Sequence, residues 1–582
     1  MTDKVHRPTL LRRLATGASM PLLVRELTRQ AARKRTYVFR VILILTALAA
    51  AIYGLKDVVT TGSPNQVLSL GQGKDLFWLL VGIQYVITYV FLPAYCAGLI
   101  TSEKEHDTLQ LLLVTKISPT SIILEKSLSR LVPFASLLAI GAPVLAVAYS
   151  HGGITQPMVW CTAYLGLSAA AQVSAMAILC SVWFRRTVTA FVATYVLAGI
   201  LLWFGPLTLA ELFDIRPSGP DVQWHWQHFP LYHQLHTLEL VGATSAFVHS
   251  WPVWVTTVSM LLTARMALIP RAFAKPTNLL RRTFRRVDQS VEAVTGTQLR
   301  SDKTIPTDEP IAWRETTRGM LGNTRYQLYS LAVVSILILG TYSILLVPQR
   351  RDALVAMQIF AFALGALLIT AKGSSLFSQE RASQTLDVLL TIPMRNSTLM
   401  LQKFRGLRNL IAVLTIILLL LGGLYVSAMT SPLPFEKRRD KMDVPFFGLC
   451  HLSTLVLYPQ VIAWLSICVG MRIKRVLVAL VTVLTIVIAW CFLPLVVHDY
   501  LTNSTSSYSW NSGESSPSIL WNTQSPLYIP MSYFRQDYRR YEAPWGLLLL
   551  NIVYYGVGWF ALRKLALSQL SKRLGRRDQK FS

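Results

Sequence analysis

Apolar runs of about twenty residues recur along most of this chain, and they limit what it can fold into. They fall at 37–55, 76–99, 127–149, 156–183, 187–211, 247–269, 328–347, 353–371, 408–429, 445–470, 476–497 and 544–562. A run of ~20 apolar residues is what a helix needs to cross ~30 Å of hydrocarbon. In lipid each backbone polar group must find an internal partner, so such runs must be helices. The composition agrees: 53% of the 582 residues are hydrophobic and 15% are charged, where soluble domains carry ~25% charged residues. The expected fold class is therefore an all-α polytopic membrane protein with about twelve transmembrane helices. The first run follows 36 mostly polar or basic residues, so it is expected to stay as a span, not to be cleaved as a signal.

The formal net charge is +27, and the basic residues sit between the apolar runs. Residues 1–36 hold nine Lys/Arg, 271–325 hold eleven and 563–582 hold seven. Basic blocks beside spans follow the positive-inside rule and the attraction of anionic headgroups. No nucleic-acid motif accompanies the charge, so no nucleic-acid partner is expected. With both termini inside, the outer loops hold twelve Lys/Arg against twenty-seven in the three inner blocks alone. The expected location is a bacterial cytoplasmic (inner) membrane, multi-pass, with both termini cytoplasmic. EKRRDKMD at 436–443 fits this orientation poorly, since it would lie outside. The six cysteines all fall in apolar stretches without a CxxC pair and read as small buried hydrophobes.

An internal repeat orders the chain. PLLVRELTR at 21–29 matches PIAWRETTR at 310–318, placing Glu26 and Glu315 289 residues apart, as are Tyr37 and Tyr326. SEKEHDTLQLLLVT at 102–115 matches SQERASQTLDVLLT at 378–391, placing Glu103 and Glu380 277 apart, as are Lys126 and Lys403. Arg186 and Arg475 are again 289 apart, and PLY recurs at 230–232 and 526–528. Six ordered matches predict two parallel six-helix repeats, related by a pseudo-two-fold axis along the membrane normal. The first half is 1–270, with an amphipathic elbow helix at 21–36 and an inward segment at 101–116. A polar, basic, cytoplasmic linker occupies 271–309. The second half is 310–582, with an elbow at 310–325 and an inward segment at 378–394.

In the first elbow, Arg25, Arg29 and Arg33 share one helical face, Val24, Leu27 and Ala31 another, and Pro21 suits a first turn. The second keeps Pro310, Trp313, Arg314, Glu315, Arg318 and Met320. A plain headgroup-layer anchor and a helix that also touches a partner both fit this pattern. The inward segments pair an acidic, polar start with a leucine-rich run. A short helix of that kind can dock into a groove on a soluble partner.

An elbow carrying PxxxRE, two spans, a stretch like ExExGTLxxLLxTPxS and four more spans resembles the permeases of type-2 ABC exporters, twice over in one chain. The resemblance implies a membrane-spanning permease subunit of an ABC exporter that forms the translocation pathway. A separate cytoplasmic ABC ATPase, in two copies, would drive it and carry an unknown exported substrate across. It implies that the inward segments are coupling helices. Glu103, Glu105, Thr108, Leu109 and Thr115 match the motif in the first half, and Glu380, Thr385, Leu386, Thr391 and Pro393 in the second. Asp107 stands where the family usually has Gly, and Ala382 where the second acid would be. Both departures leave equal coupling of the halves open.

The sequence holds no G-x-x-x-x-G-K-[ST] motif, so the chain is not expected to be an enzyme; ATP hydrolysis belongs to the partner. No cofactor is implied. His225, His228, His233 and His236 could in principle hold zinc, but Trp, Tyr and His favour membrane interfaces, and no metal is expected. The spans lack the mid-membrane charges an ion-coupled carrier needs. That carrier and a non-transporting scaffold or sensor subunit of the same fold are the competing readings.

Overall fold

The computed structural model describes residues 20–32, 72–115, 117–204, 227–238, 243–273, 309–318, 351–382, 394–430, 444–473, 475–505 and 545–573, with isolated positions among 37–49 and at 331 and 335. Among the described residues the chain is all-α, without strands. Seven helices there are long and apolar enough to cross a membrane: Gly73–Glu105, Pro119–Ser150, Gln156–Trp183, Ser245–Phe273, Met357–Arg381, Asn396–Leu424 and Leu452–Arg472. Thr187–Leu202 and Val476–Cys491 are shorter apolar helices. The helix Trp545–Arg573 covers the run expected at 544–562. The expected runs at 37–55 and 328–347 lie almost wholly outside the described residues.

Helices start further upstream than the apolar runs do. The run beginning at 127 belongs to a helix that starts at Pro119, with Ser118 Oγ accepting from Ser121 N at 3.1 Å as its cap. The run beginning at 408 belongs to a helix from Asn396. The charges just upstream, Glu125, Lys126, Lys403 and Arg405, look like loop ends in the sequence. Folded, the first three are buried within helix, so the helix runs on through them.

Contacts divide the chain into two compact units, Met1–Ala210 with Ile215–Pro276 and Glu211–Asp214 with Thr277–Ser582. Each is built around one central helix. In the first unit Gln156–Trp183 packs against Leu92–Cys96, Pro119–Leu138, Thr187–Ala198 and Trp251–Phe273. Its buried face is small, with Ser168, Ala169, Ala170, Ser174, Ala177 and Ser181, so neighbouring backbones come close. In the second unit Val444–Arg472 is central, against Arg351–Ala382, Asn396–Thr430, Val476–Thr505 and Trp545–Arg573. There, glycine makes the close approach possible. A Cβ on Gly470 would lie 2.6 Å from Ser374 O, and one on Gly373 1.9 Å from Ser466 Oγ. Around this crossing, rings stack: Phe362 on Tyr458 with centroids 4.8 Å apart, Phe404 on Trp464 at 4.7 Å and Trp490 on Tyr555 at 5.8 Å.

The span helix of the first unit is interrupted. Gln72–Val86 passes into a π-helical stretch, Ile87–Phe91, before Leu92–Cys96 resumes as α-helix. Pro93, which has no N–H to donate, follows at once. The helix Arg351–Ala382 of the second unit runs 32 residues without a break.

Candidate functional site

The segment at 101–114 is two short helices, Thr101–Glu105 and Leu109–Val114, joined at a sharp corner. Asp107 makes the corner with φ 55°, in the left-handed region that favours glycine and that Asp tolerates better than most side chains. Across the corner Thr108 N donates to Glu103 O at 2.9 Å, and Thr108 Oγ1 donates to the Glu103 carboxylate.

Helix termini hold the base of the segment. Lys104, buried, donates to the carbonyls of Val182 and Phe184, at the C-terminal end of the central helix. Glu105 Oε1 accepts from Thr187 N at 2.7 Å, at the start of Thr187–Ala198. A cation at a helix C-terminus and an anion at the next N-terminus both match the helix dipoles. Ser181 Oγ accepts from Ile100 N and Thr101 N, each at 2.9 Å. Arg185 meets Asp107 at 3.3 Å in solvent.

The elbow helix Pro21–Ala31 joins this frame through a face that its hydrophobic pattern hides. Leu22, Glu26 and Gln30, at i, i+4 and i+8, face the Pro119–Leu138 helix, while Arg25, Arg29 and Val24 are exposed. Met20 offers no side-chain cap to the elbow. Glu125 supplies one from the neighbouring helix: its Oε2 accepts from Leu22 N at 2.8 Å and Leu23 N at 3.2 Å, while Oε1 accepts from Ser121 Oγ at 2.7 Å. Gln30 Nε2 donates to Ser129 O at 3.1 Å, and Tyr95 OH donates to Gln30 Oε1 at 2.6 Å. Lys126, 5% exposed, then ties elbow to segment: its Nζ lies 3.0 Å from Glu103 and 3.6 Å from Glu26.

The second unit assembles a related set. Its elbow helix, Pro310–Arg318, packs on Asn396–Thr430, where a Cβ on Gly406 would lie 3.4 Å from Glu315 Cβ. Lys403, fully buried, meets Glu380 at 2.7 Å and donates to Leu376 O at 3.1 Å. Arg314 reaches Glu380 at 3.9 Å, Lys372 pairs with Glu315 at 3.6 Å, and Arg405 pairs with Glu309 just before the elbow.

Among the residues singled out by sequence, Pro21, Arg25, Glu26, Glu103, Glu105, Thr108, Leu109 and Thr115 thus belong to one described neighbourhood. Leu109 is buried in the core, and exposed Thr115 donates to Leu112 O at 2.6 Å. Pro310, Arg314, Glu315 and Glu380 form the second group, while Thr385, Leu386, Thr391 and Pro393 lie outside the described residues, as do Arg33 and Met320. Glu125 and Lys104 carry the geometry without having been marked by motif. Lys126 and Lys403 were marked only by sharing the spacing of Glu103 and Glu380.

The two rings described from the histidine group are occupied in hydrogen bonds: His228 Nε2 donates to Leu201 O and His233 Nε2 to Gln227 O, both at 2.6 Å. Burial holds the His233 imidazole below its ordinary value of 6.5. His225 lies outside the described residues, and among these no group of three His, Cys, Asp or Glu could hold a metal ion. No protein-family model matches the sequence, and no curated protein matches it either.

Proposed function

We propose that this chain is the permease subunit of an ABC-type exporter. Its twelve spans form two parallel six-helix repeats with both termini in the cytoplasm of a bacterial cell, and a separate ATPase drives it. One observation carries the reading. The segment at 101–114 is locked at its base by Lys104, Glu105 and Lys126, yet it leaves Leu111 70% and Val114 85% exposed at its tip. A solvent-facing apolar tip is costly unless something covers it. A rigid base would pass a push at that tip directly to the span helices and the elbow. The second unit supports the reading: Glu315, Glu380 and Lys403, spaced 289 and 277 residues from Glu26, Glu103 and Lys126, are again drawn to the junction of elbow and helix.

The test is affinity purification of the chain from native membranes. A chain carrying a Walker A motif is expected to co-purify, and to be lost from the Leu111→Asp, Val114→Asp double variant. That variant alters exposed side chains only, so the permease itself should melt as before. Co-purification that survives the double variant, or ATP-independent transport in vesicles, would remove the coupling role.

A further inference from the structure

Among the described residues the chain has three π-helical stretches, Ile87–Phe91, Gly199–Phe204 and His233–Thr237, all in the first unit. Such stretches are rare, and where they persist they often mark functional sites. They come together. Tyr89, in the first, packs on the cluster of Met176, Leu202 and Phe229, and Leu201 packs on the same cluster; Leu201 and Leu202 are in the second stretch. The Tyr89 ring stands 5.4 Å from that of Phe229 and stacks on Tyr85 at 5.9 Å. His228 donates to Leu201 O within the second stretch, and the Tyr195 hydroxyl donates to Val90 O in the first. The third begins three residues after Pro230.

Three buried polar atoms on and beside this convergence have no hydrogen-bond partner: Tyr89 OH, the OH of Tyr85 stacked on it, and Oε1 of Gln172, whose amide bonds His228 O. The Gln172 orientation is fixed, since its Nε2 donates to His228 O at 2.7 Å and Thr256 Oγ1 at 2.9 Å. Thr256 Oγ1 itself donates to Val253 O, so it can only accept from Gln172. Gln172 is fully buried and one helical turn from Met176, on the central helix. Buried polar groups are nearly always paired, so a cluster left over calls for an occupant. The bundle does not require them: the position 289 residues on from Gln172 is Val461, buried and apolar. That last comparison rests on the proposed repeat; the cluster itself does not.

We propose that this cluster is the binding site of a neutral, hydroxyl-bearing amphiphile. Gln172 Oε1 needs a donor, and a tyrosine hydroxyl both gives and accepts; a ligand hydroxyl satisfies either. No Asp, Glu, Lys or Arg is among these residues, so a charged headgroup would be buried without a counter-ion. Phe229, Met176, Leu201 and Leu202 supply the apolar wall for a hydrocarbon tail.

The experiment uses the full chain in phosphatidylcholine nanodiscs, irradiated with a diazirine-tagged monoacylglycerol and no ATPase present. Labelled peptides are expected to cover 85–93, 172–176 and 228–232. Unlabelled monoacylglycerol should compete, and a fatty acid of equal length, with its charged carboxylate, should not. Gln172→Leu and Tyr89→Phe should each cut labelling by about fivefold, the fold-change of one ordinary hydrogen bond. Tyr89→Phe keeps its stacked ring, so it guards against a folding failure in Gln172→Leu. Labelling spread along exposed faces such as 251–273, labelling unchanged in both variants, or equal competition by the fatty acid would overturn the site. Loss of ATPase recruitment would not touch it, because no ATPase takes part.

Discussion

The two units build the same junction with different charge arithmetic. In the first, a single lysine, Lys126, serves two carboxylates, Glu26 and Glu103. In the second the duties are divided: Lys403 and Arg314 attend Glu380, and Lys372 attends Glu315. The acid at the start of each elbow is also supplied differently. Glu125 reaches the first elbow from the neighbouring helix, whereas Glu309 precedes the second in sequence and is held by Arg405 from that helix. What persists is the polarity: an acid at the elbow N-terminus, where the dipole favours it, and a buried lysine paired with Glu103 in one unit and Glu380 in the other. A junction closed by one cation is brittle; one closed by several degrades in steps.

The largest expected effect follows from that contrast. Removing one partner of a buried ion pair costs about 3–5 kcal/mol because the remaining charge is left uncompensated. Lys126→Met strands two acids, so the purified chain should lose thermal stability by an amount in that range. Lys403→Met leaves Arg314 3.9 Å from Glu380 and should cost visibly less. Equal losses in the two variants, measured by thermal melts in one detergent, would erase the distinction between a shared and a divided junction.

Packing separates the units next. The second relies on glycine where helices touch, so Gly470→Val drives a side chain into Ser374 O; overpacking of this kind costs about 1–3 kcal/mol. At the place 289 residues earlier the first unit has Ser181, whose hydroxyl accepts from two backbone amides. Ser181→Ala leaves both amides without that acceptor, a penalty of about 1–3 kcal/mol for each such buried donor. Limited proteolysis should show Gly470→Val loosening fragments from the second unit and Ser181→Ala fragments from the first. Cleavage of the same fragments in both would mean that the units do not fold independently.

How far the sequence reveals this depends on whether a side chain's surroundings can be read from its neighbours. The helical class and most spans follow from apolar runs, because lipid forces one backbone solution. Glu26, Glu103 and Glu380 stand out because their surroundings recur in order along the chain. The docking face of the first elbow does not stand out: Glu26 and Gln30 look like solvent positions, and only their contacts with the buried Lys126 and Ser129 and with Tyr95 make them part of the packing. Glu125 passes unnoticed for the same reason: it lies just ahead of the apolar run at 127–149, and only the fold makes it a cap on a distant helix. Tyr85, Tyr89 and Gln172 are invisible in the sequence, since tyrosine and glutamine inside an apolar run raise no alarm until their hydroxyl and amide oxygens are found buried without partners.

A smaller difference concerns the elbow caps. Glu125→Gln keeps the shape but removes the charge from the N-terminus of the first elbow, and losing a cap of this kind costs about 0.5–2 kcal/mol. Glu309→Gln in the second unit should cost less, because Glu309 is 47% exposed and its Arg405 partner 44% exposed, where water screens the pair. Hydrogen exchange at Leu22 and Leu23 should quicken in Glu125→Gln alone. Faster exchange there in Glu309→Gln would couple the elbows.

The smallest expected effect, at the corner between Thr101–Glu105 and Leu109–Val114, tests the sharpest departure from the resembled motif. Asp107 occupies a left-handed conformation, φ 55°, that a glycine adopts without strain. Its ion pair with Arg185 is solvent-exposed, worth about 0–1 kcal/mol. Asp107→Gly therefore trades a weak pair for a relaxed backbone and should leave stability within a few tenths of a kcal/mol, the scale of an ordinary surface change. Asp107→Val has no such exchange. A β-branched residue pays about 1–2 kcal/mol for that backbone region, and the cost should appear as fraying of Thr101–Val114, not as global melting. Exchange rates at Thr108 N, bonded to Glu103 O across the corner, read this directly. If Gly and Val behave alike there, the corner is not held by its backbone conformation, and the lock on the segment rests on Lys104, Glu105 and Lys126 alone.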